Sequence, residues 1–188
     1  MILKEFDPNW EVFEKSKKIE YSFFAMTDQE EKVKDVIQKL GIPFTRHEHP
    51  PVFTVEQAEE HWGCLVGAHC KNLFLRNNKG NRHYLIIAEA AKTVNLKALT
   101  SKLIEDRLSF ASPERLMRFL GIEPGSVSPF GLINDAAKEV RVIVDHDLRK
   151  HETVNFHPNI NTATYGISFR DFEKFLAWTG QTVTFLEL

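Results

Sequence analysis

Three stretches of this 188-residue chain hold groups that could do chemistry. The first is His69-Cys-Lys-Asn-Leu-Phe-Leu75. In an extended strand Lys71, Leu73 and Leu75 share one face, and Asn72 and Phe74 share the other. An ammonium among leucines and phenylalanines is costly to desolvate, so Lys71 needs an anionic partner or an open cleft. The plainer alternative is an edge-strand lysine whose tip reaches water. The second stretch is Gly121-Ile-Glu-Pro-Gly-Ser-Val-Ser-Pro-Phe-Gly131. Gly125 and Gly131 admit backbone conformations closed to other residues, and Pro124 and Pro129 stiffen the chain between them. Such a loop can aim several N–H groups at one oxygen, as an anion nest or oxyanion hole requires. An ordinary helix-to-strand connection uses the same residues. The third stretch is Asn155-Phe-His-Pro-Asn-Ile-Asn-Thr-Ala-Thr164. His157 stands between Phe156 and Pro158 and is followed by amide and small side chains. That composition suits a pocket wall with hydrogen-bonding capacity, or a structural histidine with its bonds satisfied.

Other chemistries lack their signatures. There is no Gly-x-Ser-x-Gly elbow, no Gly-rich loop ending in Lys-Ser/Thr and no His-Glu-x-x-His. His47 and His49 would share a strand face, but a pair spaced by two needs a third ligand and a second shell that the sequence does not supply. Neither metal nor cofactor is expected. Cys64 and Cys70 are six apart, which is not a zinc spacing, and both read as plain thiols.

The elements that must carry these groups follow from caps and periodicity. Residues 1–26 mix aromatic and charged residues without a clear period and read as an extension packed on the main domain, which runs over 27–188. Thr27 with Glu30 forms a capping-box pattern ahead of the stripe Val33, Val36, Ile37, Leu40, and Gly41 ends that helix. A short strand follows over Phe44 to His49, and Thr54 with Gln57 starts a short helix to Glu60. Strands are expected at His69 to Arg76 and His83 to Ala88, joined by the turn-rich 77–81 segment. Asn95 caps a helix to Leu103, and Ser112-Pro113-Glu114 opens another that Gly121 closes. Strand character returns at Val140 to Val144, near Phe156 and at Thr182 to Leu186. Ser168 caps a last helix over Phe172, Phe175 and Leu176, ending at Gly180. Helices and strands intermix without strict alternation, which predicts a compact α+β domain around a mixed, mostly antiparallel sheet with flanking helices.

Composition narrows the function classes. Hydrophobic residues are 43% and charged residues 27% of the chain, an ordinary globular balance, and fifteen Phe point to an aromatic core. No apolar run approaches the roughly 18 residues of a membrane span. The first seven residues carry Lys4, Glu5 and Asp7 rather than a signal peptide's apolar stretch, so a cytoplasmic protein is expected. The net charge of −2 argues against indiscriminate nucleic-acid binding. Its distribution is uneven: residues 71–107 hold eight Lys/Arg against Glu89, Glu105 and Asp106. A basic middle is compatible with docking one phosphate-rich ligand, and equally with a solvated face.

Taken together, the sequence resembles the YbaK and prolyl-tRNA-synthetase-associated editing family, and within it the free-standing ProX/PrdX-type group that deacylates alanyl-tRNA for proline. The resemblance runs from about Thr27 to the C-terminus. It is carried by His47-Glu-His-Pro-Pro-Val-Phe-Thr-Val-Glu56, Lys71-Asn-Leu-Phe-Leu75, Gly125-Ser-Val-Ser-Pro129 with Phe-Gly131, and Phe156-His-Pro158 with Asn161-Thr-Ala-Thr164. It implies a YbaK-like fold and hydrolysis of mischarged alanyl-tRNA(Pro), with the tRNA acceptor end and prolyl-tRNA synthetase as partners. It implies that Lys71 engages the terminal adenosine and places the ester, with Asn72 beside it in the lysine motif. It implies that the loop Gly125, Ser126, Val127, Ser128, Pro129 contacts the aminoacyl group, and that His157 shapes the substrate site. In the family picture a free ribose hydroxyl of the substrate helps activate the water. Gly131, Phe53, Leu73 and Phe156 complete the expected substrate-binding set, the last three as pocket walls. The same fold acting on serine or cysteine esters, or a non-catalytic tRNA-binding module, are the competing readings.

Overall fold

The computed structural model describes residues 28–52, 63 and 65–188. Residues 28–39 form helix α1, which buries Val33 and Ile37 and leaves through Gly41 at φ 60°. Strands β1 (Thr45–Glu48), β2 (Ala68–Asn77) and β3 (His83–Glu89) follow. Helix α2 (Leu96–Lys102) starts where Asn95 accepts the N–H groups of Lys97 and Ala98. Next come β4 (Leu108–Phe110) and helix α3 (Pro113–Leu120), which is capped by Ser112 and closed by Gly121 in the left-handed conformation. A 3₁₀ turn over Pro129–Asn134 precedes β5 (Val140–Asp145), and a second over His146–Lys150 precedes β6 (Thr153–Phe156). The chain finishes with β7 (Ala163–Ser168), helix α4 (Phe169–Thr179) and β8 (Val183–Leu186).

Eight strands join in the order β1-β7-β6-β2-β3-β5-β8, with β4 on β2. Four pairings are antiparallel (β1/β7, β6/β7, β2/β3, β2/β4) and three parallel (β2/β6, β3/β5, β5/β8), so the sheet is mixed and mostly antiparallel as expected. The central strand β3 is a continuous apolar run because both its faces are covered. Leu85 and Ile87 join the main core with α1, α3 and α4. Tyr84 and Ile86 turn to a smaller core under α2, around Leu75, Leu99 and Ile143. The phenylalanines do gather: the Phe130 ring meets Phe156 at 6.0 Å and Phe175 at 5.2 Å, both edge-on, and Phe156 lies 4.8 Å from Phe172.

The capped helices stand where the sequence placed them. The three-residue β4, the strand β7 and both 3₁₀ turns were not expected. β4 and the turns are too short to show a period of their own, and β7, buried at five of its six positions, has no polar alternation to show. The Thr27 cap, the Thr54 helix and the 1–26 extension lie outside the described residues.

Two features of this scaffold are testable. His83 is buried, with its ring 3.9 Å from that of Phe119, and Arg115 Nη1 lies 2.8 Å from its Nε2. A guanidinium only donates, so Nε2 is the acceptor of a neutral ring. Burial first, then the charges of Arg115 and Arg118, push the imidazole from 6.5 to about 4. A base depressed on folding takes its proton in the unfolded chain first, so this contribution to stability is whole above 6.5 and drains away as pH falls toward 4. Thermal unfolding between pH 7 and 4.5 should show that loss, and His83→Gln, which keeps an acceptor for Arg115, should flatten it. Parallel profiles would assign the acid sensitivity elsewhere. Gly67, at φ 105°, precedes β2, and a Cβ there would stand 2.4 Å from the Thr153 carbonyl oxygen in β6. Gly67→Ala should cost about 1–3 kcal/mol in urea unfolding, because both strain and a backbone clash oppose it.

Candidate active site

Strand β2 is paired with β3 from Cys70 to Arg76. Its other edge is paired only at the ends, with β6 at Ala68 and His69 and with β4 from Leu75 to Asn77. Among the described residues no strand covers that edge from Cys70 to Leu73. The expected loop is tied to this stretch of β2: Asn72 Nδ2 donates to the Val127 carbonyl at 3.0 Å. Asn72 Oδ1 is buried and has no partner among the described residues.

The loop is rigid at its far end and open at its near end. Ser128 is buried, its hydroxyl accepts the Phe130 N–H at 3.1 Å, and Phe130 is locked in the aromatic core. Gly131 has no room for a side chain, since a Cβ would lie 3.0 Å from that of Leu120. Ser126 N–H bonds the Glu123 carbonyl at 3.1 Å in a turn that sets Gly125 at φ 91°. The N–H groups of Gly125, Val127 and Ser128 find no partner among the described residues. Such donors are what an anion site needs. Beside them a cleft of about 280 Å³ is lined by Asn72, Leu73, Phe110, Pro113, Gly125 and Val127.

Lys71 and Asn72 point to opposite faces of β2. Phe74, on the Asn72 side, enters the main core, and Leu73, on the Lys71 side, packs against the smaller one. The half-buried Lys71 ammonium donates to the Ala90 carbonyl at 2.9 Å and to the Lys92 carbonyl, in the segment between β3 and α2. Among the described residues it meets neither an anion nor an acceptor for its third proton, and it holds no core position.

His157 follows β6 directly. The parallel register sets Val154 beside Ala68 and Asn155 beside His69. The ladder ends there, and His157 lies two residues beyond it. Phe156 turns into the main core, where it is 2% exposed, so its neighbour turns the other way, to the Lys71 side. Phe156 therefore supports the site from behind rather than lining it. Leu73 does line the cleft, and Phe53 lies outside the described residues. His157 Nδ1 lies 2.9 Å from the Ala163 carbonyl, which only accepts, so Nδ1 carries the proton and Nε2 keeps its lone pair. Burial, then the neighbouring His49 ring at 5.6 Å, lowers the His157 pKa and favours this neutral form.

Sequence reasoning missed two features. Asn159 is buried at φ 61° with neither amide atom partnered among the described residues, a strained position of the kind found at functional sites. Its signal was an asparagine, tolerant of the left-handed region, next to a proline. The Lys92–Asp145 pair spans 53 residues and left no local signal. The basic middle segment is also less free than its composition suggested. Arg82 pairs with Glu105, and Lys92 with Asp145 and Asp147. Burial pushes the Cys70 thiol well above its ordinary range, which makes it unreactive; Cys64 lies outside the described residues. Among the described residues no three His, Cys, Asp or Glu side chains are grouped to hold a metal, and no helix is long and apolar enough to cross a membrane.

Residues 49–175 match the aminoacyl-tRNA editing domain. The prolyl-tRNA editing protein ProX of Acetoanaerobium sticklandii is 41% identical over 152 residues, covering 81% of this chain and 93% of that protein. The prolyl-tRNA synthetase associated domain-containing protein 1 of Danio rerio is 32% identical over 86% of this chain and 89% of its own. The fold matches a solved structure provisionally assigned to trans-editing for prolyl-tRNA synthetase. That match has a TM-score of 0.64 and 22% identity, over 85% of this chain and 97% of the other. By the domain match and the identity to ProX, the chain belongs to the aminoacyl-tRNA editing domain family and is an aminoacyl-tRNA hydrolase.

Proposed function

We propose that this enzyme hydrolyses the ester of alanyl-tRNA(Pro) in trans, with the substrate's own ribose hydroxyl helping to activate water. The observation that carries the reading is the stretch of β2 left unpaired on one edge among the described residues, which bears Lys71 on one face and, on the other, Asn72 tethering the Gly125–Pro129 loop. The similarity to a prolyl-tRNA editing protein supports proline as the cognate amino acid. The partners are the acceptor end of charged tRNA and, at the point of supply, prolyl-tRNA synthetase, in the cytoplasm where charging takes place.

Each group has a task its geometry suits. The uncommitted proton of Lys71 reaches an oxygen of the terminal adenosine and holds the ester in place. The free N–H groups at Gly125, Val127 and Ser128 receive the carbonyl oxygen as it gains charge. Asn72 ties that loop to β2. Neutral His157 presents Nε2 as an acceptor for a ribose hydroxyl or the α-ammonium. An aminoacyl ester is already activated, so positioning and oxyanion stabilisation supply most of the acceleration. Proline's synthetase cannot exclude the smaller alanine, because a lost methylene is worth only about 1–3 kcal/mol. A narrow pocket in a second enzyme can admit alanine and reject proline. Serine or cysteine esters are the competing substrates, and a panel of aminoacyl-tRNAs decides among them.

Lys71→Ala should lower deacylation of alanyl-tRNA(Pro) by a factor of about 10² or more with an unchanged circular dichroism spectrum. Near-normal turnover would remove the lysine from the mechanism. Replacing the free terminal ribose hydroxyl with hydrogen should slow cleavage steeply. Cleavage of that deoxy substrate at the normal rate would instead make a protein side chain the base, with His157 Nε2 the first to test.

A further inference from the structure

We propose that Asp145 and Lys92 are positioning residues for Lys71, holding the loop whose carbonyls fix its ammonium. The inference rests on the role given to Lys71 above. Two of the three ammonium protons go to the carbonyls of Ala90 and Lys92. Ala90 is itself tied to β2, its N–H bonding the His69 carbonyl at 2.8 Å. Lys92 is held from the opposite side. Its ammonium donates to Asp145 Oδ1 at 2.7 Å and lies 2.6 Å from Asp147 Oδ2. Burial works against the charge on Lys92, but the bonds to the two carboxylates outweigh it and raise its pKa.

Asp145 is the last residue of β5 and fully buried, and its Oδ1 also accepts the Asp147 N–H at 3.2 Å. The carboxylate is therefore fixed to the strand and to the 3₁₀ turn that follows. One bonded chain runs from β5 through Asp145, the Lys92 side chain and the Lys92 carbonyl to Lys71 on β2. A buried ion pair is a poor source of stability, because apolar replacements often serve as well. As a strut it has a use. A four-carbon lysine stem samples many rotamers, and a catalytic ammonium must be held within about 0.5 Å of its working position. Two carbonyls braced from a neighbouring strand supply that restraint while leaving one proton for the substrate.

The test uses the full chain and alanyl-tRNA(Pro). Lys92→Met keeps the backbone carbonyl and the stem but releases the segment from Asp145 and Asp147. It should lower kcat about ten- to a hundredfold with KM within about twofold, and Lys92→Arg, which can still bond both carboxylates, should recover most of the loss. In a Lys71→Arg background the same substitution should cost nothing further, since the group it positions is already displaced. A direct readout needs no turnover: the Lys71 amine should react faster with a small N-hydroxysuccinimide ester in Lys92→Met, followed by peptide mass spectrometry at an unchanged dichroism spectrum. Asp145→Asn should reproduce both effects. Equal losses in the Lys71 and Lys71→Arg backgrounds, or unchanged kcat and labelling, would overturn the proposal. Full activity in Lys71→Ala would instead overturn the parent reading, and the labelling rate tells the two failures apart.

Discussion

A β-strand whose edge is covered only at its two ends leaves backbone polar groups that must be met by something other than a ladder. In this protein that strand is β2, and the site depends on the interruption. At one end β6 comes close enough to pair because Gly67 leaves room for the Thr153 carbonyl. At the other, the three residues of β4 resume pairing and Ala111 N–H closes on the Phe74 carbonyl at 2.9 Å. Between them, among the described residues, no strand pairs that edge, and the Asn72 side-chain amide ties the stretch to Val127 of the loop. Had β4 extended three residues further, the ladder would have consumed the donors and acceptors that now face a cleft.

The core and the site are joined through the loop. Phe130 sits at the centre of the aromatic cluster, one residue after Pro129 and two after the buried Ser128. The C-terminal half of the Gly125–Pro129 loop is thus set by packing, while its N-terminal half presents backbone N–H groups. A hydrolase whose acceleration comes from fixed dipoles needs this arrangement, because donors that had to reorient during the reaction would forfeit part of their worth. The abundance of phenylalanine, which composition alone marked as unusual, is therefore tied to the site as well as to stability.

Charge is organised on the same principle. Lys92, Arg82 and Lys71 looked like a basic segment able to meet phosphate. Folding instead couples Lys92 to acids from β5 and the turn after it, Arg82 to Glu105, and Lys71 to backbone carbonyls. Charge left for a polyanion comes from other residues of the stretch, such as Lys79, Lys97 and Arg107.

The sequence by itself determined the elements whose signals are local. Asn95, Ser112-Pro113, Gly121, Ser168 and Gly180 act on groups two to four residues away, so each helix end could be read without knowing the fold. The alternation that separates Lys71 and Leu73 from Asn72 and Phe74 was legible for the same reason, and so were the three chemical stretches. Tertiary structure alone decided the strand order, the three-residue β4 and the gap it leaves in β2. It also decided the partner of Lys71, the retreat of Phe156 into the core and the union of Lys92 with Asp145. These are pairings between residues tens of positions apart. Their energies depend on which surfaces meet, and no local propensity or period carries that information.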